Sequence, residues 1–191
     1  MLYKIVKAIG GTACRIVFNY QVSGQENIPS EGAFLLCGNH ISLMDPISVA
    51  IFSKRQPRFI SKAELFKFKP FGAFLRALGA FPVNRDAADM QAYRHAMSIL
   101  KGGHGMLIFA QGKRMKEFEN AKSGVALFAL KSGAPVIPLG IVGPYGFRRK
   151  VRITFGAPIA MDEYKGQKVR AELVEQVMEK ITADITTLAK S

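Results

Sequence analysis

The chain has 191 residues, with 27 Lys and Arg against 14 Asp and Glu, a net charge of +13 and a sequence pI near 10.0. Hydrophobic residues at 49% and charged residues at 21% exclude a disordered tail or a low-complexity fibre and predict a single domain with a buried core. The charge is +7 up to Arg85 (11 basic, 4 acidic residues) and +6 beyond it (16 and 10), which excludes a polybasic tail and points to an anionic membrane surface, a phosphorylated substrate or a polyanion.

From the N-terminus, residues 2–18 read as a helix. The segment is apolar, but Lys4, Lys7 and Arg15 interrupt it and no small-residue cleavage site follows, so it neither spans a bilayer nor looks like a removed leader. Gly and Pro punctuate a turn at 24–32. Short runs rich in branched and aromatic residues predict strands at 33–37, 58–61, 80–83, 105–109, 136–142 and 151–155. Helices fill the connections, the first beginning near Pro46. Met90, Tyr93, Met97 and Leu100 share a helical face that ends at Lys101-Gly102-Gly103. Residues 120–132 form a second helix with Ala121, Gly124, Val125 and Phe128 together. In the last, over 168–189, Leu173, Val177, Ile181, Ile185 and Leu188 make one stripe. Strands alternating with helices predict a single α/β domain whose mainly parallel or mixed central sheet is flanked by helices. Residues 54–76 add a basic and aromatic patch, with Lys54, Arg55, Arg58, Lys62, Lys67, Lys69 and Arg76 interleaved with Phe59, Phe66, Phe68, Phe71 and Phe74.

Three strand ends concentrate the chemistry. Asn39-His40 follows the first predicted core strand, and Asp45-Pro46 opens the helix after it. In open α/β sheets the carboxyl ends of strands collect ligands, because their loops aim side chains at one point. An imidazole there can take a proton from a hydroxyl, and a carboxylate on its other nitrogen fixes the tautomer and steadies the imidazolium. A second reading of the same residues makes Asp45 an N-cap with Pro at the first helical position. Ser42 lacks the G-x-S-x-G setting of a nucleophile elbow and reads as a loop residue. Arg85 ends another strand, and Gln111, Gly112, Lys113 and Arg114 end a third. Arg, Lys and a glycine backbone together suit a phosphate. Cys14 and Cys37 show neither disulfide nor zinc spacing, and His95 and His104 have no ligand-spaced partner, so no metal is expected. A reducing compartment fits this cysteine usage. The phosphate-loop and dinucleotide glycine patterns are missing.

These blocks, in their order and spacing, resemble the glycerolipid acyltransferase family that includes 1-acyl-sn-glycerol-3-phosphate acyltransferases. Asn39-His40 with Asp45 matches its N-H-x4-D block; residues 79–85 look like the second, 109–114 fall at F-P-E-G-T-R, and 136–140 are similar to the V-I-P block. The resemblance implies a glycerol-3-phosphate acyltransferase-like fold and transfer of a fatty acyl group from acyl carrier protein (ACP) or coenzyme A (CoA), as co-substrate, to the 2-hydroxyl of 1-acyl-glycerol 3-phosphate (lysophosphatidic acid). Phosphatidic acid for phospholipid biosynthesis would result, with no bound cofactor. His40 would be the general base and Asp45 its partner, with Asn39 in support. Arg85, Gln111, Gly112, Lys113 and Arg114 would hold the acceptor phosphate. It further implies an N-terminal membrane-associating helix over residues 1–23, an acyltransferase domain over 24–191, and peripheral or monotopic attachment at the cytoplasmic face of the cell membrane. There the basic and aromatic patch would meet anionic headgroups.

The third block departs from the family pattern at Ala110, Gln111 and Lys113, which makes the site more positive and leaves glycerol 3-phosphate or another lysophospholipid open as acceptor. A basic nucleic-acid-binding module is the alternative from another class, but no zinc-finger, RRM-like or basic-heptad signature supports it, and no nucleic-acid partner is expected. A thioester hydrolase, with His40 activating water, is a third.

Overall fold

The computed structural model describes residues 2–83, 90–111 and 121–190. Helix α1 (Leu2–Val17) leads into strand β1 (Asn19–Ser23), and then come β2 (Phe34–Asn39), α2 (Asp45–Phe52), β3 (Pro57–Lys62) and α3 (Lys69–Ala77). They are followed by β4 (Ala80–Val83), α4 (Met90–Lys101), β5 (Gly105–Gln111), α5 (Ala121–Ser132), β6 (Val136–Val142), β7 (Lys150–Phe155) and α6 (Ala171–Lys190). The seven strands make one mixed sheet in the order β1-β7-β6-β2-β5-β3-β4. Every neighbouring pair is parallel except β6 and β7.

Central strand β2 carries the core on both faces. Phe34 and Leu36 face one layer with Val49, Ile51, Phe59 and Leu75, while Leu35 and Cys37 face the other with Ala96, Met106, Val125, Val177 and Ile181. A strand buried on both sides reads as a continuous apolar run, which is why its sequence signal is strong. Helices α1, α2 and α3 cover the first face, and α4, α5 and α6 the second. Gly105 makes the layer possible: a Cβ there would lie 2.0 Å from Cζ of Phe34.

One strand is absent from the sequence reading for a physical reason. Strand β1 pairs in parallel with β7 at the sheet edge, from Asn19↔Lys150 to Ser23↔Thr154, and its NYQVS sequence alternates exposed and half-buried positions without an apolar run. The sheet therefore begins at Asn19, inside the 1–23 segment grouped with the helix. Helix α3 fills the β3–β4 connection within the basic patch, as the alternation of strands and helices predicts, with Pro70 in its first turn.

The patch itself is partly structural. Arg55 donates to the carbonyls of Pro29, Gly32 and Gly103 and lies 5.0 Å from the Phe34 ring centroid, which ties three loops together. Phe59 is buried, and Phe66, Phe71 and Phe74 pack against the core, leaving Phe68 exposed. Helix α1 also docks on the domain, through Tyr3 Oη to the Ala50 carbonyl at 2.8 Å and Lys7 Nζ to the Ser53 carbonyl at 2.5 Å. Its Ile5, Ile9 and Ile16 face outward. No helix among the described residues is long and apolar enough to cross a membrane.

Candidate active site

Strand β2 runs past the predicted end at residue 37 to Asn39, and that extension builds the site. Gly38 lies against β6 so closely that a Cβ would meet the Leu139 carbonyl oxygen at 2.8 Å. Where backbone pairing between β2 and β6 stops, the Asn39 side chain continues it. Its Nδ2 donates to the Ile141 carbonyl and its Oδ1 accepts from the Ile141 amide, both at 2.8 Å. On the other side the register with β5 shifts between Gly38 and Asn39, leaving Asn39 opposite Gln111. The clamp fixes the point at which the chain leaves the sheet, and His40 is the next residue.

The imidazole of His40 stacks on Phe109 of β5, with ring centroids 4.5 Å apart and planes 17° from parallel. Its Nδ1 lies 2.7 Å from Oδ2 of Asp45. The same oxygen accepts the backbone amides of Ile41 and Ser42, each at 2.7 Å. Asp45 is the first residue of α2 and fully buried, while the His40 side chain is 23% exposed. A carboxylate at Nδ1 accepts a hydrogen bond from Nδ1–H, so the neutral ring keeps its lone pair on Nε2, the atom a general base needs.

Asp45 is not the N-cap of α2, a position that Met44 takes. The helix has no side-chain cap, and the carboxylate turns back on the 40–42 loop and on the imidazole. Ser42 holds the turn, accepting the Met44 amide at 3.2 Å through its hydroxyl.

Beneath Asp45 lies a polar group that the sequence reading missed. Tyr20 of β1 and Ser48 of α2 are hydrogen-bonded at 2.6 Å, and the Tyr145 hydroxyl, from the β6–β7 connection, is 3.5 Å from Ser48 Oγ. Burial pushes the Tyr20 phenol up to about 12. Burial raises that of Tyr145 further, reinforced by the Asp45 charge. These residues lie 28 and 97 positions from Ser48, so no local spacing could reveal them. Phe109 was within a predicted strand, but nothing in the sequence marked it as the partner of His40.

Of the predicted phosphate residues, Arg85, Gly112, Lys113 and Arg114 lie outside the described residues, and Gln111 is described only as the last position of β5. His95 and His104 are exposed, His95 against the Phe81 ring at 4.7 Å. Among the described residues no group of three or more His, Cys, Asp or Glu could hold a metal ion. A cleft of about 600 Å³ opens between the 39–42 loop and residues 141–145.

Residues 19–142, from the first residue of β1 to the last of β6, match the family model described as Acyltransferase. The chain belongs to the acyltransferase family. It is 28% identical over 178 residues to the 1-acyl-sn-glycerol-3-phosphate acyltransferase of Streptococcus pneumoniae, covering 89% of this chain and 66% of that protein. To the Bacillus subtilis protein of the same name it is 28% identical over 150 residues, 75% of each. The crystal structure of the 1-acyl-sn-glycerophosphate (LPA) acyltransferase PlsC from Thermotoga maritima superposes with a TM-score of 0.73 at 27% identity, covering 97% of this chain and 79% of that one. The fold of this acyltransferase is thus the PlsC fold, and the matched segment contains His40, Asp45 and the residues of all four sequence blocks.

Proposed function

We propose that this acyltransferase moves a fatty acyl group from an acyl thioester to the 2-hydroxyl of 1-acyl-glycerol 3-phosphate, forming phosphatidic acid. The observation that carries the reading is the 2.7 Å contact between His40 Nδ1 and a fully buried Asp45 carboxylate at the mouth of the central strand. The names of the Streptococcus and Bacillus relatives support the same acceptor.

In this mechanism Nε2 of His40 takes the proton of the acceptor hydroxyl as its oxygen attacks the thioester carbonyl. The carbon–oxygen bond forms, and the carbonyl electrons move onto oxygen to give a tetrahedral oxyanion. The buried carboxylate of Asp45 stabilises the imidazolium throughout. Collapse of the oxyanion breaks the carbon–sulfur bond, and the imidazolium returns the proton to the departing thiolate. The donor is already activated, so no covalent acyl-enzyme is required.

Arg85, Gln111, Gly112, Lys113 and Arg114 hold the acceptor phosphate in this reading, since both arginines offer forked donors to its oxygens and Lys113 adds a point charge. The donor is an acyl-ACP or acyl-CoA. Helix α1 attaches the enzyme peripherally or monotopically to the cytoplasmic face of the membrane, a reading supported by the outward Ile5, Ile9 and Ile16 and the net charge of +13.

The test offers a labelled long-chain acyl-ACP or acyl-CoA, in detergent or lipid, to 1-acyl-glycerol 3-phosphate, glycerol 3-phosphate and a panel of lysophospholipids. Labelled phosphatidic acid as the main product is expected. Label only in another lysophospholipid's product overturns the acceptor and traces to Gln111 and Lys113. Free fatty acid alone overturns the transferase reading.

A further inference from the structure

Asp45 is asymmetrically used. Oδ2 accepts three hydrogen bonds, from His40, Ile41 and Ser42. Oδ1, equally buried, has no hydrogen-bond partner among the described residues. An ionised carboxylate offers acceptor sites on both oxygens, and leaving one unmatched inside a protein is costly.

A proton inventory of the neighbouring hydroxyls shows which group can serve it. Ser48 donates its single hydroxyl proton to the Met44 carbonyl at 2.9 Å. Its oxygen then accepts the Tyr20 proton at 2.6 Å. The remaining contact, from Tyr145 Oη at 3.5 Å, is at the long limit of a hydrogen bond and commits that proton weakly. The Tyr145 ring is held edge-on to Phe18, with centroids 5.5 Å apart, so the hydroxyl stays at this depth in the fold.

We propose that Tyr145 is a positioning residue, its hydroxyl donating to Oδ1 of Asp45 so that Oδ2 remains locked on His40 and the amides of Ile41 and Ser42. The charge of Asp45 and its capacity to accept a hydrogen bond both act to keep the phenol protonated, which is the state a donor needs. Tyr145 also lines the cleft beside Asn39 and Ser42, which places this donor at the border between the dyad and the space open to a ligand. Its effect on rate rests on the general-base reading of His40; its effect on the His40 and Asp45 geometry does not.

The test replaces Tyr145 with Phe, which keeps the ring and removes the hydroxyl, and takes two readouts on the full chain. The first is the downfield proton NMR signal of His40 Nδ1–H, assigned by its disappearance in His40→Gln. The second is the steady-state kinetics of acyl transfer to 1-acyl-glycerol 3-phosphate. The expected result is a shifted or broadened His40 signal, kcat lower by roughly tenfold, and acceptor KM unchanged. An unchanged signal overturns the proposal, whatever the rate does, while an altered signal with wild-type kcat upholds the positioning and overturns the general-base reading on which the rate effect rests. If the wild type itself transfers no acyl group, the functional reading fails while the NMR signal still decides whether Tyr145 positions the dyad.

Discussion

Replacing Asp45 separates the structural from the chemical work of its carboxylate. Asp45→Ala removes the acceptor of three donors, His40 Nδ1 and the amides of Ile41 and Ser42, each at 2.7 Å. An unmatched buried donor costs about 1–3 kcal/mol, and the half-exposed loop recovers part of this through water, so a loss of about 3 kcal/mol is expected. For a domain of this size that lowers Tm by roughly 6–12 °C. Asp45→Asn keeps an oxygen for the same three donors and should cost only about 1 kcal/mol. What it removes is the charge beside the imidazolium. Unit charges ~4 Å apart at an effective dielectric of ~20 interact by about 4 kcal/mol, which is about three orders of magnitude in rate. Thermal unfolding and kcat for thiol release, measured on both variants, should therefore diverge: Asn nearly as stable as wild type yet close to inactive, Ala unstable and inactive. An Asn variant within tenfold of wild-type kcat would show that the Asp45 charge is not needed for turnover, and one as unstable as Ala would show that its oxygen does not hold the three donors.

Three further outcomes follow from the same geometry. Asn39→Ala opens the clamp on Ile141 and leaves a buried amide and carbonyl unpaired, so denaturant unfolding should show a loss of about 3 kcal/mol together with reduced kcat; wild-type stability would mean the clamp is ornamental. The folded chain holds the Tyr3 and Tyr20 phenols up to about 12, and that of Tyr145 above 10.0 as well. The unfolded chain therefore releases these protons first, and stability should be full below pH ~10 and fall as pH rises toward about 12. Tyr20→Phe should make that fall shallower in a Tm series across this range, and an unaltered slope would remove Tyr20 from it. Finally, Ile9→Glu with Ile16→Glu changes two residues 67% and 61% exposed on α1, so sedimentation with anionic vesicles should weaken while Tm stays constant; undiminished sedimentation would point to another surface.

The parts of this molecule legible in sequence are those with a local signal. Strands β2, β5 and β6 are continuous apolar runs because the sheet buries both their faces, and His40 with Asp45 stand five positions apart in one loop. The same locality made Asp45-Pro46 ambiguous, because a helix cap and a catalytic partner use the same residue types; only the direction of the carboxylate separates them. Edge strand β1 needs no apolar run, since one side of it faces outward. Arg55 reads as a surface cation in a basic patch, yet three carbonyls from two distant loops claim it. Tyr20, Ser48 and Tyr145 meet only because β1 and the β6–β7 connection fold onto the start of α2, a juxtaposition that tertiary topology alone creates.

Whether His40 is the general base is tested by comparing wild type with His40→Gln in transfer of a labelled acyl group from a thioester to 1-acyl-glycerol 3-phosphate, with thermal unfolding run on both. His40→Gln should unfold near the wild-type Tm and retain less than about one-hundredth of its kcat, because general-base catalysis contributes roughly 10²–10⁴-fold. Undiminished transfer by a folded His40→Gln protein would contradict that role and remove the imidazole from the chemistry.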